Sequence, residues 1–364
     1  MAAVVALPSS ATAGSLPASG PAITNPANAP ANASTTSTTA NAAAPKAPSS
    51  RTPAEPRRVR FNVGSKYHVM DVIGEGAYGV VCSAVHRPTG QKVAIKKITP
   101  FDHSMFCLRT LRELKLLKYF QEQNVSENII SIVDIIRPPT IEAFKEVYLI
   151  QELMETDMHR VIRTQDLSDD HCQYFIYQTL RGFESASLGR LCDFGLARSV
   201  RTAEQETGFM TEYVATRWYR APEIMLTFKQ YTKAIDVWSV GCILAEMLSG
   251  RPLFPGRDYH HQLTLILEVL GTPTLDEFYA INSRRSRGLH PSTTTLTFDP
   301  KKRLTVEESL QHPYLEAYHD PEDEPVAPPL DEDFFAFDRQ KDEISKEELK
   351  QLLFDEIASF HSTA

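Results

Sequence analysis

The sequence predicts an α+β fold of two lobes, a small antiparallel β-lobe followed by a larger, mainly helical lobe. Short β-rich runs separated by turn residues fill the chain from Tyr67 to Ile98. Apolar residues at helical spacing then dominate from Ser168 to Leu270. A strand-rich stretch followed by a helix-rich stretch is typical of α+β proteins.

Composition narrows the class of protein. The 364 residues are 42% hydrophobic and 23% charged, as in ordinary globular proteins, and the net charge of −8 argues against binding to nucleic acid. The five cysteines stand singly, without metal-ligand spacing, which indicates reduced intracellular thiols. No apolar run approaches the roughly 18 residues of a membrane span. We therefore expect neither nucleic acid nor membrane as a partner.

Changes in composition divide the chain into four regions. Residues 1–58 are rich in Ala, Pro, Ser and Thr with few large apolar side chains, which predicts a disordered tail. Residues 59–154 form the small lobe and residues 155–318 the large lobe. Residues 319–364 are an acidic region with a C-terminal extension.

The predicted elements of the small lobe are four strands and one helix. The strands are Tyr67–Ile73, Val80–Val85, Lys92–Ile98 and Val147–Ile150, and the helix is Leu108–Phe120.

In the large lobe, Ser168 is the predicted N-cap of a helix. The apolar face of this helix comprises Phe175, Ile176, Thr179, Leu180 and Phe183. Two further helices are predicted, Ile235–Leu248 and Leu263–Leu270.

The glycines between the first two strands indicate a phosphate-binding hairpin. Gly74, Gly76 and Gly79 fit the pattern G-x-G-x-x-G-x-V, in which backbone N–H groups approach phosphate oxygens. A dinucleotide-binding fold would require a helix directly after Gly79, but a strand follows. The pattern therefore favours a kinase-type glycine-rich loop.

Three charged residues follow in the order that phosphoryl transfer requires. Lys96 ends a Val-Ala-Ile-Lys strand and should face the phosphates, whereas Lys97 should face the opposite side. Glu113 on the next helix can pair with Lys96, and Asp193 of Asp-Phe-Gly supplies a carboxylate for Mg²⁺. Any one of these could be a solvated surface charge, but their joint order indicates a site.

The segment after Asp-Phe-Gly carries a specific resemblance. Thr211-Glu212-Tyr213, followed by Val214 through Ala221-Pro222-Glu223, resembles the activation segment of a mitogen-activated protein kinase. The resemblance runs from about Phe61 to Phe360 and is strongest to the fungal pheromone and filamentation kinases. It implies a truncated, bilobal protein-kinase-like fold and a serine/threonine kinase that transfers the ATP γ-phosphate to proteins in a signalling cascade.

The resemblance also implies site residues, with ATP and Mg²⁺ as cofactors. Lys96, Glu113 and Asp193 are the catalytic residues, and Asp193 is the metal ligand. Gln151 is the gatekeeper, Glu152 and Met154 line the adenine hinge, and Asp157 approaches the ribose. The nucleotide-binding set comprises Ile73, Gly74, Glu75, Gly76, Ala77, Tyr78, Gly79, Val80, Val81, Lys96, Gln151, Glu152, Met154 and Asp157.

Regulation and partners are implied in the same way. Thr211 and Tyr213 are phosphorylated by an upstream dual-specificity kinase. Arginines match the family's phosphate-binding positions, with Arg109 and Arg198 for phosphothreonine and Arg217 and Arg220 for phosphotyrosine. Glu223 and Arg303 match a buried structural pair.

An acidic docking groove is also implied. Its residues are Asp320, Glu322, Asp323 and Glu324, chiefly Asp320 and Asp323. The groove binds basic motifs of upstream kinases, phosphatases, scaffolds and substrates, and the family is cytoplasmic and nuclear.

Two stretches of the family are missing. The chain runs from Leu180 through twelve residues into Asp193, with no His-Arg-Asp, whose Asp is the catalytic base. Glu184 is the one carboxylate in this link and is poorly placed to replace it. A second shortening follows Arg287.

Three hypotheses follow from the gaps. The gene encodes an intact kinase and this sequence lacks coding segments; or the chain is a shortened docking or decoy isoform without phosphoryl transfer; or it fails to complete its large lobe. In each case the activity of the chain itself is in doubt.

Overall fold

The computed structural model describes nine stretches of the chain: residues 4–8, 59–76, 79–123, 128–184, 190–197, 216–227, 232–272, 295–322 and most of 324–362. Three parts of the predicted site and large lobe lie outside these ranges: residues 77–78 of the Gly-rich hairpin, the Thr-Glu-Tyr segment, and residues 273–294. The described residues 4–8 belong to the same compact unit as the described residues from Phe61 onwards.

The small lobe contains the predicted antiparallel sheet. Its strands are β2 (Tyr67–Gly76), β3 (Gly79–His86), β4 (Lys92–Ile98), β5 (Ile132–Ile135) and β6 (Val147–Glu152), in the order β2-β3-β4-β6-β5. Every neighbouring pair is antiparallel. The α+β prediction is confirmed, and β5 was not predicted.

One glycine of the hairpin is required by the sheet itself. A Cβ atom on Gly79 would lie 2.0 Å from the backbone oxygen of Lys97. Any side chain at position 79 would therefore collide with β4, because β4 is paired with β3 along the whole length of β4.

The helix that follows the third strand of this sheet is longer than predicted. This helix, α1 (Ser104–Glu122), begins four residues before Leu108, because the His103 side chain accepts a hydrogen bond from the Met105 N–H. Leu111, Leu114 and Leu117 on its buried face are at most 1% exposed. Packing of this face attaches α1 to the rest of the core.

A second, three-stranded sheet lies where the small lobe passes into the large one. Its strands are β1 (Val4–Pro8), β7 (Met154–Asp157) and β8 (Arg190–Cys192), in the order β7-β1-β8. The prediction that residues 1–58 are disordered throughout did not include β1. Five residues are too few to show a periodic pattern of apolar residues. The pairing was also hidden because the partner strands are far away in the sequence.

The described part of the large lobe is helical. Its helices are α2 (Met158–Thr164), α3 (Asp169–Glu184), α4 (Pro222–Thr227), α5 (Ala234–Ser249), α6 (Tyr259–Leu270) and α7 (Val306–Leu310). Ser168 caps α3 as predicted, since its hydroxyl accepts from the His171 N–H at 3.3 Å. Among the described residues, no helix is long and apolar enough to cross a membrane.

A buried ion pair joins two segments of this lobe. Arg303 donates to both carboxylate oxygens of Glu223 at 2.6 Å, and neither side chain is exposed to solvent. The Arg303 guanidinium also lies over the ring of Trp238 in α5, 5.0 Å from its centroid. The predicted structural role of Glu223 and Arg303 is therefore seen directly.

The chain ends in two helices, α8 (Ala336–Arg339) and α9 (Lys346–Phe360). The N-terminus of α9 has a capping box, in which Ser345 and Glu348 bond each other's backbone N–H groups. Leu349, Leu353 and Ile357 are fully buried in the cluster that also contains the α1 leucines. The sequence analysis did not predict α9, although the capping-box residues and the helical spacing of the buried apolar residues are both visible in the sequence.

The packing of α9 on the core predicts that substitution of two adjacent leucines lowers the free energy of unfolding by very different amounts. Leu353→Ala removes a side chain that is 0% exposed, whereas Leu352 is 37% exposed. We expect Leu353→Ala to lower the free energy of unfolding by about 2–5 kcal/mol and Leu352→Ala by under about 1 kcal/mol. Urea unfolding of both variants measures the difference. Equal losses would mean that α9 is not packed against the core.

Candidate active site

The centre of the site is an ion pair between the sheet and α1. Strand β4 places Lys96 between Val81 of β3 and Leu149 of β6. The Lys96 Nζ lies 2.6 Å from Oε1 of Glu113, whose side chain is only 6% exposed. Burial raises the pKa of the Glu113 carboxyl, and the ammonium of Lys96 lowers it. Burial is the larger effect, so the pKa of Glu113 stays above its ordinary value, and Lys96 offsets part of the cost of burying this carboxylate.

The neighbouring lysine lies on the other face of the sheet, as strand alternation predicts. Lys97 Nζ lies 2.7 Å from Glu146 and 5.9 Å from the ring centroid of Tyr148. The two lysines are thus adjacent in sequence but serve different sites.

Asp193 completes a cluster of three charges. Its Oδ1 lies 3.7 Å from Lys96 Nζ, and its side chain is 53% exposed. Among the described residues it is the one non-glycine with a left-handed backbone, at φ 69°. The Gly195 N–H donates to the Asp193 carboxylate at 3.3 Å, and a Cβ on Gly195 would come equally close to it. The strained backbone turns the carboxylate towards solvent beside Lys96.

α1 also holds the two residues that follow Asp193. The ring of Phe194 is buried, with its centroid 5.6 Å from that of Phe120. The backbone oxygen of Gly195 accepts a hydrogen bond from Arg112 Nη1 at 2.6 Å. The position of the Asp-Phe-Gly segment is thus fixed by α1.

Arg112 is a residue that the sequence analysis missed. It is 2% exposed, and its Nε donates to Oδ2 of Asp338 at 2.8 Å while its Nη2 donates to Oδ1. Asp338 lies in α8, 226 positions later in the sequence. The same guanidinium therefore joins α1, the Asp-Phe-Gly segment and the C-terminal extension.

The predicted nucleotide-binding residues lie around this cluster. The Gly-rich hairpin pairs Gly74 with Val81 and Glu75 with Val80, and the side chain of Ile73 is 53% exposed. Ala77 and Tyr78 lie outside the described residues.

At the other end of the site, Gln151 is buried in β6, where its amide nitrogen has no hydrogen-bond partner in the described part of the chain. Glu152 and Met154 follow it, at the junction of β6 and β7. Asp157 caps α2, because its carboxylate accepts from the Arg160 N–H at 2.8 Å. The structure thus brings the hairpin, Lys96 and the β6–β7 connection to one region of the molecule.

The predicted regulatory residues are described only in part. Thr211, Tyr213, Arg198 and Asp323 lie outside the described residues. Arg109 is 4% exposed, and burial lowers the pKa of its guanidinium.

The structure also describes Arg217 and three of the predicted acidic docking residues. Arg217 donates to the backbone oxygen of Arg257 at 3.1 Å. Asp320 and Glu322 are exposed, as a docking surface requires. Glu324 was grouped with them but is 7% exposed and accepts from the Tyr177 hydroxyl at 2.9 Å. Burial, and after it this contact, raise the pKa of Tyr177 to about 12.

A two-lobed fold with a lysine–glutamate pair beside an Asp-Phe-Gly carboxylate defines the protein kinase class. The sequence matches the protein kinase domain family over residues 67–188 and 184–315, and the chain belongs to that family.

Three fungal relatives narrow the family further. The chain is 63% identical to a mitogen-activated protein kinase of Fusarium vanettenii, over 84% of this chain and 97% of the relative. It is also 63% identical to mitogen-activated protein kinase PMK1 of Pyricularia oryzae, over 83% and 96%, and to mitogen-activated protein kinase mpkB of Aspergillus fumigatus, over 83% and 97%. The chain is therefore a member of the mitogen-activated protein kinase family of serine/threonine kinases, and the resemblance to its fungal branch is confirmed.

The buried Arg112–Asp338 pair predicts a stability effect, and a matched control lies five positions before Asp338. Asp338→Ala leaves a buried guanidinium without its carboxylate, and we expect a loss of about 3–5 kcal/mol in the free energy of unfolding. Asp333 also pairs with an arginine, Arg339, but its side chain is 87% exposed. Asp333→Ala should cost under about 1 kcal/mol. Urea unfolding compares the two, and similar losses would contradict the central role of Arg112.

Proposed function

We propose that this chain binds Mg²⁺-ATP in the cleft beside Lys96, Glu113 and Asp193, and that its own phosphoryl transfer is strongly reduced. The observation that carries the proposal is the charge cluster, in which Asp193 lies 3.7 Å from the same ammonium that Glu113 holds at 2.6 Å. One ammonium held by a buried carboxylate is suited to bind phosphate oxygens. The exposed carboxylate of Asp193 is a hard oxygen ligand of the kind Mg²⁺ prefers.

The adenine end of the site offers a second feature that fits a nucleotide. The buried amide nitrogen of Gln151 has no hydrogen-bond partner among the described residues, and a buried polar group without a partner is costly. An adenine base at the β6–β7 connection would provide hydrogen-bonding groups within this region. Glu152 and Met154 would line the base, Asp157 would lie on the ribose side, and Ile73, Gly74 and Val81 would cover it.

The reduced transfer follows from the link that precedes Asp193. Kinases of this class use the Asp of His-Arg-Asp as base and a following Asn as second metal ligand, and the chain contains neither motif. The match to the kinase domain family breaks into two segments that meet at residues 184–188, in this same link. Loss of a general base alone costs a factor of roughly 10² to 10⁴ in rate. In a chain with the segment restored, phosphorylation of Thr211 and Tyr213 would activate transfer.

Adjacent lysines on opposite faces of β4 provide the test of nucleotide binding. Lys96→Met removes the ammonium from the site, and Lys97→Met removes the one that pairs with Glu146. We expect Lys96→Met to weaken Mg²⁺-ATP binding at least about tenfold, because a hydrogen bond to a charged group contributes about 1.5–3 kcal/mol. Lys97→Met should bind as the unaltered chain does. Titration calorimetry gives the affinities, and equal affinities for the two variants would refute the proposed site.

A separate assay of the unaltered chain tests transfer. The chain and the Aspergillus fumigatus relative are each phosphorylated by an upstream dual-specificity kinase and assayed with one proline-directed substrate. We expect the chain to be slower by at least about 10². A rate equal to that of the relative would show that another group replaces the missing base.

A second candidate function is a docking or decoy module that binds cascade partners without transfer. Asp320 and Glu322 favour it, because both are exposed while Glu324 fixes the local backbone by accepting from the Asp320 N–H at 3.3 Å. Negative charge held on an ordered turn would attract basic motifs of upstream kinases, phosphatases, scaffolds or substrates.

Neutralising this surface tests the docking function. Asp320→Asn combined with Glu322→Gln should weaken binding of a Lys/Arg-rich docking peptide about threefold to tenfold at low salt, with less effect at high salt. Glu268→Gln, an exposed acid on α6, is the control and should leave binding unchanged. Fluorescence anisotropy of the labelled peptide measures both. If the two preparations bind alike, the peptide does not use this surface.

A further inference from the structure

The middle strand of the second sheet, β1, comes from the N-terminal tail, whereas β7 and β8 come from the middle of the chain. β1 pairs antiparallel with β7, where Ala6 lies opposite Asp157 and Leu7 opposite Thr156. It also pairs antiparallel with β8, where Ala6 lies opposite Arg190 and Val4 opposite Cys192. Strands one place apart in a sheet are separated by about 4.8 Å, so β7 and β8 lie about 10 Å apart and depend on β1 to connect them.

Backbone hydrogen bonds show that β8 has an edge for β1 to bond. The Leu191 N–H donates to the Asn128 oxygen at 2.7 Å, and the Leu191 oxygen accepts from the Ile130 N–H at 3.1 Å. Successive residues of a strand direct these groups to opposite edges, so those of Arg190 and Cys192 point the other way. β1 lies along that second edge. Leu191 itself is 2% exposed, so this strand is part of the core.

The local sequence cannot supply this strand. Five residues, 185–189, join the end of α3 to β8. A hairpin needs at least two residues for its turn, which leaves about three for a partner strand and none for the return from α3. The strand that fills this position in the structure therefore comes from elsewhere in the chain.

Residues 4–8 have the properties of such a segment. Val4, Val5 and Leu7 are the densest group of large apolar residues in the first 58 positions, and valine favours strands. Pro8 lacks a backbone donor and lies where the register with β7 shifts, a position at which proline is tolerated.

We propose that the N-terminal segment Val4–Pro8 is an intrachain strand that completes the sheet beneath the site and replaces sequence absent between α3 and Asp193. β8 runs directly into Asp193, and β7 ends at Asp157, so the strand connects the segment before Asp193 with the segment that ends at Asp157. This inference concerns the folded state and does not rest on nucleotide binding. It assigns a structural role to a tail that is otherwise low in apolar residues.

Hydrogen–deuterium exchange of the full chain without nucleotide tests the proposal. Two variants remove the strand: deletion of residues 2–10, and Ala6→Pro, at the one position paired with both neighbours. Ala13→Pro, in the same tail but outside the strand, is the matched control. We expect exchange in the segments Met154–Asp157 and Arg190–Cys192 to accelerate at least about tenfold in both variants and to stay unchanged in the control. Exchange in β6 provides the internal reference.

A peptide of residues 1–10 keeps the test decisive if the deletion variant loses protection throughout. Restoration of protection at β7 and β8 by the added peptide supports the proposal, whether the loss was local or global. The proposal is overturned if the variants exchange like the unaltered chain, or if the peptide restores nothing. It is also overturned if protection of the unaltered chain appears only at concentrations where light scattering shows a dimer, because the strand would then come from a second copy.

Discussion

The buried guanidinium of Arg112 is the constraint on which the arrangement of the site depends. Because Arg112 is 2% exposed, its N–H donors need acceptors inside the protein. The acceptors are the carboxylate of Asp338 and the backbone oxygen of Gly195. α1 can therefore take few other orientations, since a rotation that relieved one contact would break another. Because Glu113 is the next residue on the same helix, the orientation that satisfies Arg112 also directs Glu113 towards Lys96.

Two adjacent residues of α1 thus carry opposite charges into two different contacts. Successive residues of a helix are about 100° apart around its axis, so one faces the C-terminal extension while the other faces β4. The burial of Leu349, Leu353 and Ile357 of α9 in the core that α1 shares adds an apolar contribution to the same arrangement. The C-terminal extension is consequently part of the scaffold of the site.

The strands and helices whose own sequences show a regular apolar pattern could be predicted. The strands β2, β3, β4 and β6 alternate or cluster apolar residues between turn signals, and α1, α3 and α5 show helical spacing, so all were found within a few residues. Strand alternation also separated Lys96 from Lys97. The Arg112–Asp338 pair could not be predicted, because 226 positions separate its members and a single arginine in a helix is ordinarily a surface residue. Glu324 was misplaced for the converse reason, since nothing in an acidic run shows which member turns inward to Tyr177.

β1 shows how a gap in sequence changes the problem that the fold must solve. With five residues between α3 and β8, the second edge of β8 is left with backbone groups that need partners, and Leu191 in the middle of this strand is buried. A strand from the N-terminus satisfies those groups whatever its side chains are, because ladder hydrogen bonds involve the backbone alone. No such substitution is available for a catalytic base, which must be a particular carboxylate at a particular place. Backbone requirements can be met by a distant segment and chemical requirements cannot, so β8 is paired although the sequence before Asp193 contains no His-Arg-Asp motif.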